Sequence, residues 1–207
     1  MTVYKGIAQK LIPIPYDEAG FPPTHWIMMG MVGNGWYNDD DVLFSDGIYN
    51  DKGKKAVAEA NLQVIKERLN DYGLRGYIKF INHKLMVTWT DGTYFAPEKL
   101  RRTPVKDTKM YPYIVGENNK YYVYISQVMN IILFVGIILS AIKNFKSKIN
   151  IYSLSYIALF GTILFLMIWE TRSRYIVLML PIMILCCIDG LEFLNFNIKN
   201  IVKNKKK

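Results

Sequence analysis

Two runs of about 19 residues each, 124–142 and 151–169, contain no charged side chain, and this constrains the fold more than any other feature. That length is close to the roughly 20 residues needed to cross a hydrocarbon core as a helix. A third run, 175–188, is shorter, about 14 residues. It reaches spanning length when carried through Asp189-Gly190-Leu191, with the carboxylate near the head-groups. Pro181 is compatible with a span, because neighbouring helices in a bundle can satisfy the carbonyl it frees. A re-entrant or buried helix is the competing reading of this third run.

Charge separates a membrane protein from a nucleic-acid binder. The net charge is +9, but residues 1–120 carry 16 basic and 14 acidic side chains, whereas residues 121–207 carry 10 basic and 3 acidic ones. The excess therefore flanks the apolar runs, as topology signals do. A nucleic-acid surface would need a basic patch on a folded domain, and the first 120 residues are nearly balanced. Lys143, Lys146 and Lys148 lie between the first two runs, and five lysines from Lys199 to Lys207 follow the third. The positive-inside rule puts both segments in the cytoplasm, and residues 1–120 and the loop around Arg172 outside. Leu191, Leu194, Ile198 and Ile201 recur beside lysines, so the tail reads either as an amphipathic helix on the inner leaflet or as a solvated basic segment.

The expected fold is thus membrane α-helical, with about three transmembrane helices and a small N-terminal α+β extracytoplasmic domain. The boundaries are 1–120 for the outer domain and its linker, 121–191 for the spans and 192–207 for the cytoplasmic tail. Within the outer domain, His25 to Val32 is an apolar run between Pro22-Pro23 and Gly33-Asn34-Gly35, and reads as a buried strand. Residues 54–72 read as an amphipathic helix with Ala58, Leu62, Ile65, Leu69 and Tyr72 in one stripe and Gly73 as its stop. Leu74, Tyr77, Ile78, Ile81, Leu85 and Trp89 continue at helical spacing, Asp91-Gly92 marks a turn, and 97–120 reads as an extended linker. No apolar leader precedes this domain in 1–23. The chain therefore reads as the C-terminal part of a larger polytopic protein, or as an N-out protein inserted by an unusual route.

Few residues point to chemistry. Asp39-Asp40-Asp41 could hold a hard cation but lacks the spaced pattern and glycine of a calcium loop, so a solvated loop or helix cap competes strongly. His25 and His83 read first as structural histidines, with His25 a weak candidate base, and Asp41 and Asp91 are weak acidic candidates. No metal site, cofactor motif, phosphate loop or Ser/His/Asp arrangement is apparent. Cys186-Cys187 lie inside the third run, where packing is the simplest role. Arg172 and Arg174 stand apart, crowded with Glu170 into a short loop at a membrane edge. Guanidinium forks match phosphate oxygens and stay ionised there. Glu170 can orient one arginine while the other meets a ligand, and Tyr175 completes the cluster. The competing reading is a pair of snorkelling anchors.

Trp169-Glu170-Thr171-Arg172-Ser173-Arg174-Tyr175, the following Leu180-Pro181 helix and Asp189-Gly190-Leu191 resemble the C-terminal signature of bacterial GT-C glycosyltransferases of the protein O-mannosyltransferase type (family 39). Thr24 to Gly30, Gly35-Trp36-Tyr37-Asn38, Asp41-Val42 and Asp91-Gly92-Thr93-Tyr94 are similar to the extracytoplasmic region of a Gram-positive branch of that group. The likeness covers most of residues 20–192. It implies sugar transfer from a polyprenyl-phosphate donor on the outer face of the membrane, with arginines holding the phosphate. The family's catalytic acid lies in a first external loop that this sequence does not contain, so no general base is assigned, and the chain alone is expected to be inactive. The alternative expectation is a non-catalytic membrane protein whose outer domain binds a partner or cell-wall polymer. The expected partners are membrane lipid, the lipid-linked donor, and an N-terminal half or membrane partner.

Overall fold

The structure, a computed structural model, describes residues 19–102 and 108–204. Among these residues every regular element is helical: α1 (Pro23–Met29), α2 (Asp39–Trp89), α3 (Ala96–Arg102), α4 (Tyr111–Ile114), α5 (Asn119–Asn144), α6 (Ile151–Ile168), a 3-10 helix (Ser173–Met179) and α7 (Leu180–Asn204). The chain divides into two compact units. One contains the described residues up to His83 together with Ile168–Thr171, and the other contains Lys84–Met167 and the described residues from Arg172 onward.

The first unit corrects the expectation of an α+β domain. The run from His25 that reads as a strand is helix α1, because Pro22 and Pro23 preset the backbone for a helix start. Its buried residues His25, Met28 and Met29 fall at i, i+3 and i+4, a helical spacing that so short an apolar run does not reveal. Gly30 ends the helix. A side chain there would strike the backbone of Trp169 and Glu170 at 2.7–2.8 Å, so the segment 168–171 packs flush on it. Two backbone hydrogen bonds fasten that segment, Glu170 N–H to Trp26 O (3.0 Å) and Thr171 N–H to Gly35 O (2.7 Å). The Trp26 and Trp169 rings stack with centroids 6.4 Å apart.

Helix α2 is three rods in succession, broken where Gly53 (φ 76°) and Gly73 (φ 56°) leave helical geometry. The break at Gly73 is the stop that the stripe over 54–72 predicts, and the third rod is the predicted second helix. Asn38 Oδ1 caps the first rod by accepting from the Asp41 amide at 3.1 Å. Asp39, Asp40 and Asp41 occupy its first turn, where the helix dipole favours acidic side chains.

In the second unit, α5, α6 and the joined 3-10 and α7 segment are each long and apolar enough to cross a membrane. At 26 residues α5 extends about 39 Å. Pro181 stands in the first turn of α7, where its missing N–H frees no carbonyl and marks the change from 3-10 to α geometry. Leu159, Leu166, Ile176 and Met183 form the core of this unit. Ile125, Ile131, Ile138, Ile157, Phe160, Leu164 and Leu178 are exposed apolar side chains on the spans, as lipid contact requires.

Helices α5 and α7 approach closely through small residues. A Cβ at Gly136 would lie 2.8 Å from Cys187 Cα, and one at Gly190 would lie 2.7 Å from the Ser140 amide and run into the Gly136 carbonyl. At that crossing Asp189 accepts from Lys143 Nζ (2.5 Å), Ser140 Oγ (2.6 Å) and Asn144 Nδ2 (2.8 Å), so a carboxylate that is 4% exposed is fully satisfied. Lys84, 1% exposed, donates to the Met167 carbonyl at 3.1 Å and so meets the negative end of α6. The extended linker expected over 97–120 is replaced by α3, α4 and the first turn of α5 where it is described, and residues 103–107 fall outside the described residues.

Candidate functional site

The turn between α2 and α3 is the most constrained backbone in the second unit. Tyr94 (φ 52°) and Phe95 (φ 64°) are consecutive non-glycine residues in the left-handed region, an arrangement that costs on the order of 1–3 kcal/mol each and persists only when the surroundings impose it. Asp91 imposes it. One carboxylate oxygen accepts from the Thr93 amide (2.9 Å) and hydroxyl (2.6 Å), and the other accepts from the Phe95 amide (2.9 Å) and from Ser173 Oγ (2.5 Å).

Helix α5 holds the turn from its other side. Gly92 N–H donates to Gln127 Oε1 (3.0 Å), Gln127 Nε2 donates to Thr90 O (2.5 Å), and Tyr94 OH donates to Asn130 Oδ1 (3.2 Å). Gly92 must be glycine here, since a Cβ would meet Ser126 backbone carbon at 2.7 Å. Burial, followed by the negative charge of Asp91, raises the Tyr94 phenol above its ordinary value, so it stays a neutral donor.

This clamp fixes the arginine loop. Ser173 is tied to Asp91, and the preceding residue, Arg172, lies over the Phe95 ring with its guanidinium carbon 4.5 Å from the centroid. Arg174 lies over the Tyr175 ring at 5.1 Å and donates to Tyr175 OH at 3.3 Å. Both arginines are half-buried. On α3, Lys99 has its pKa held below the ordinary 10.5, first by partial removal from water and then by the positive charges of Arg174, Arg102 and Arg172. Four cations thus share one neighbourhood at an end of the 3-10 helix.

The residues singled out from sequence fall into two groups. Asp91, Arg172, Arg174 and Tyr175 come together in the second unit. Asp91 is there as the clamp of the strained turn, its carboxylate occupied by four donors. His25, Asp41 and Glu170 belong to the first unit. Asp41 is bound to Arg68 through a two-pronged pair at 2.6 and 3.0 Å, and Arg68 also donates to Met28 O at 2.6 Å. His25 is fully buried with Nδ1 2.8 Å from Ser45 Oγ, and Ser45 donates to Asn61 Oδ1 at 3.2 Å. Burial lowers the His25 pKa, against a smaller opposing effect of Asp41. Glu170 is 2% exposed, with its amide on Trp26. Among the described residues no group of three His, Cys, Asp or Glu side chains could hold a metal ion.

Phe95, Lys99, Arg102 and Ser173 were not singled out from sequence. The i, i+3 spacing of Lys99 and Arg102 is present in the sequence, but it carries meaning only once 96–102 is a helix and not an extended linker.

The model of a conserved hypothetical integral membrane protein family matches residues 4–191. The chain belongs to that family. It is therefore an integral membrane protein, in agreement with its three apolar helices of spanning length. No curated protein and no solved structure matches the chain. The matched stretch includes every residue of the clamped turn, α3 and the arginine loop.

Proposed function

We propose that this protein binds the phosphate of a polyprenyl-phosphate-linked sugar at the outer face of the membrane and serves glycosyl transfer from that lipid. One observation carries the reading. Arg172 is held over Phe95 by a turn whose strained backbone is clamped through Asp91 and Ser173, at the head of a spanning segment. A snorkelling anchor needs only length and charge. A ligand-binding guanidinium needs its plane fixed beforehand, and strain concentrated at one loop is a common sign of such preorganisation. Arg174 is the second fork, steadied by Tyr175. The lysines after α5 and α7 support an orientation with this loop outside and the C-terminus in the cytoplasm.

Arg172→Lys and Arg174→Lys, made in the complete protein in its native membrane, test this reading. A lysine keeps the charge but not the fork, and the loss of one charge-assisted contact costs on the order of 1.5–3 kcal/mol, or roughly tenfold to a hundredfold in donor affinity. Protein level and membrane insertion should be unchanged. Wild-type affinity for a polyprenyl-phosphate sugar in both variants would refute the proposal.

A further inference from the structure

The first half of α5 carries a polar stripe inside an otherwise apolar span. Tyr122, Ser126 and Asn130 recur every four residues, and Ile125, Met129 and Leu133 do the same beside them. Both stripes line a cleft of about 330 Å³, which α7 borders through Leu180 and Ile184. That volume lies within the range of small-molecule sites, roughly 300–1,000 Å³. None of the described residues that line the cleft is charged.

The depth of the cleft follows from the turn packed against it. Gly92 sits on the backbone of Ser126, and Gln127 holds the turn that contains the Asp91 carboxylate, so the polar edge of the bilayer lies near this level of α5. Asn130 is one turn deeper, about 6 Å further along the axis. It is 5% exposed. One of its two amide N–H groups donates to the Trp89 carbonyl at 3.3 Å, and its oxygen accepts from the Tyr94 hydroxyl at 3.2 Å. The second amide N–H and the lone pairs of the Tyr94 oxygen remain, a donor beside an acceptor. A hydroxyl group uses both, because it accepts and donates at once. Lipid tails use neither, and a polar group left without a partner at this depth is costly.

An anionic head finds no counter-charge here. The lining side chains offer no cation, and the negative charge of Asp91 is felt at the Tyr94 hydroxyl. A phosphate or carboxylate is therefore repelled at the point where a neutral hydroxyl fits.

We propose that this cleft binds an uncharged lipid alcohol, whose hydroxyl accepts from Asn130 and donates to Tyr94 while its hydrocarbon chain runs past Leu133 and Ile184 toward the bilayer centre. The site is separate from the phosphate role of the arginine loop, since neither Arg172 nor Arg174 lines it.

The full chain in phosphatidylcholine nanodiscs, photo-crosslinked with a diazirine analogue of oleyl alcohol, tests the proposal. Oleyl alcohol, methyl oleate and oleate then compete for the label, which gives one chain length with three different heads. Oleyl alcohol should compete at a mole fraction about tenfold lower than either of the others, as expected for two added hydrogen bonds. Asn130→Leu and Tyr94→Phe should each lower labelling severalfold. Ile184→Trp, which fills the cleft and leaves the hydrogen-bonding pair intact, should lower it as well. The comparison of competitors uses the unsubstituted protein and stands whether or not Asn130→Leu folds. Equal competition by methyl oleate would overturn the hydroxyl seat, and stronger competition by oleate would overturn the neutral head. Absence of labelling, or a stable dimer in which a second copy covers the cleft, would overturn the site itself.

Discussion

At the scale of single residues, the geometry gives Asp91 more to do than any other side chain of the turn. Its two oxygens serve four donors and hold Tyr94 and Phe95 in left-handed geometry. Asp91→Asn turns one acceptor oxygen into a donor that faces donors. We expect a loss of about 1–3 kcal/mol, read as a lower melting temperature, together with weaker phosphate binding as Arg172 loses its platform. An unchanged melting temperature would show that the turn does not depend on this carboxylate. His25 makes a pH prediction. Its folded pKa lies below the unfolded 6.5 because burial disfavours the imidazolium. The neutral ring therefore contributes full stability above pH 6.5. That stability is lost as pH falls from 6.5 toward the folded pKa, because the unfolded chain gains a proton that the folded one resists. His25→Asn, which keeps a donor near the Nδ1 position, should flatten the melting temperature between pH 7 and pH 5. A slope as steep as wild type would assign the effect elsewhere. The arginines were legible in the sequence because charges between apolar runs are conspicuous. The Asp91 clamp was not, since Ser173, the partner that ties the turn to the arginine loop, lies 82 residues from Asp91 and nothing local links the two.

Among elements, periodicity served long segments well and short ones badly. The stripe over 54–72 with its Gly73 stop, and the charge-free runs that became α5 and α6, carry enough repeats to settle their type. Seven residues of α1 do not, and burial of the whole short run made a helix look like a strand. The 3-10 helix was invisible for a different reason. It is the solution to a chain that must start a span, hold Ser173 against Asp91 and meet a proline eight residues later. The crossing of α5 and α7 offers a test at this scale. Gly190→Leu puts a branched side chain where even a Cβ meets the Gly136 carbonyl and the Ser140 amide, so the helices must separate and Asp189 must lose its donors. We expect loss of the folded state, seen as protease sensitivity of the purified protein in detergent. Gly161→Leu on α6, where a Cβ meets nothing, is the matched control and should be tolerated.

For the whole molecule, class was legible and sidedness remains a prediction. Spanning length and the unequal distribution of lysines identify a membrane protein from the sequence, and the family match agrees. The lysine bias places position 146 inside and position 50 outside, and both are exposed. Single cysteines at these positions should divide accordingly when intact cells meet a membrane-impermeant maleimide, with 50 labelled and 146 protected. The native Cys186 and Cys187 are buried and should stay silent. Labelling at 146 would invert the orientation and place the phosphate site on the cytoplasmic face.

The contact of Lys84 with the end of α6 has a consequence for synthesis. Residues leave the ribosome in order, so this ammonium group emerges long before Met167, its partner 83 positions later, exists. Until then it lacks this acceptor, and burying a cation costs more with each acceptor missing. The last turn of α2 is therefore not in its final setting when it first emerges. Its locking marks the moment when the second apolar run has been delivered, and a nascent chain halted before that point keeps a reactive amine at position 84 that the finished protein conceals.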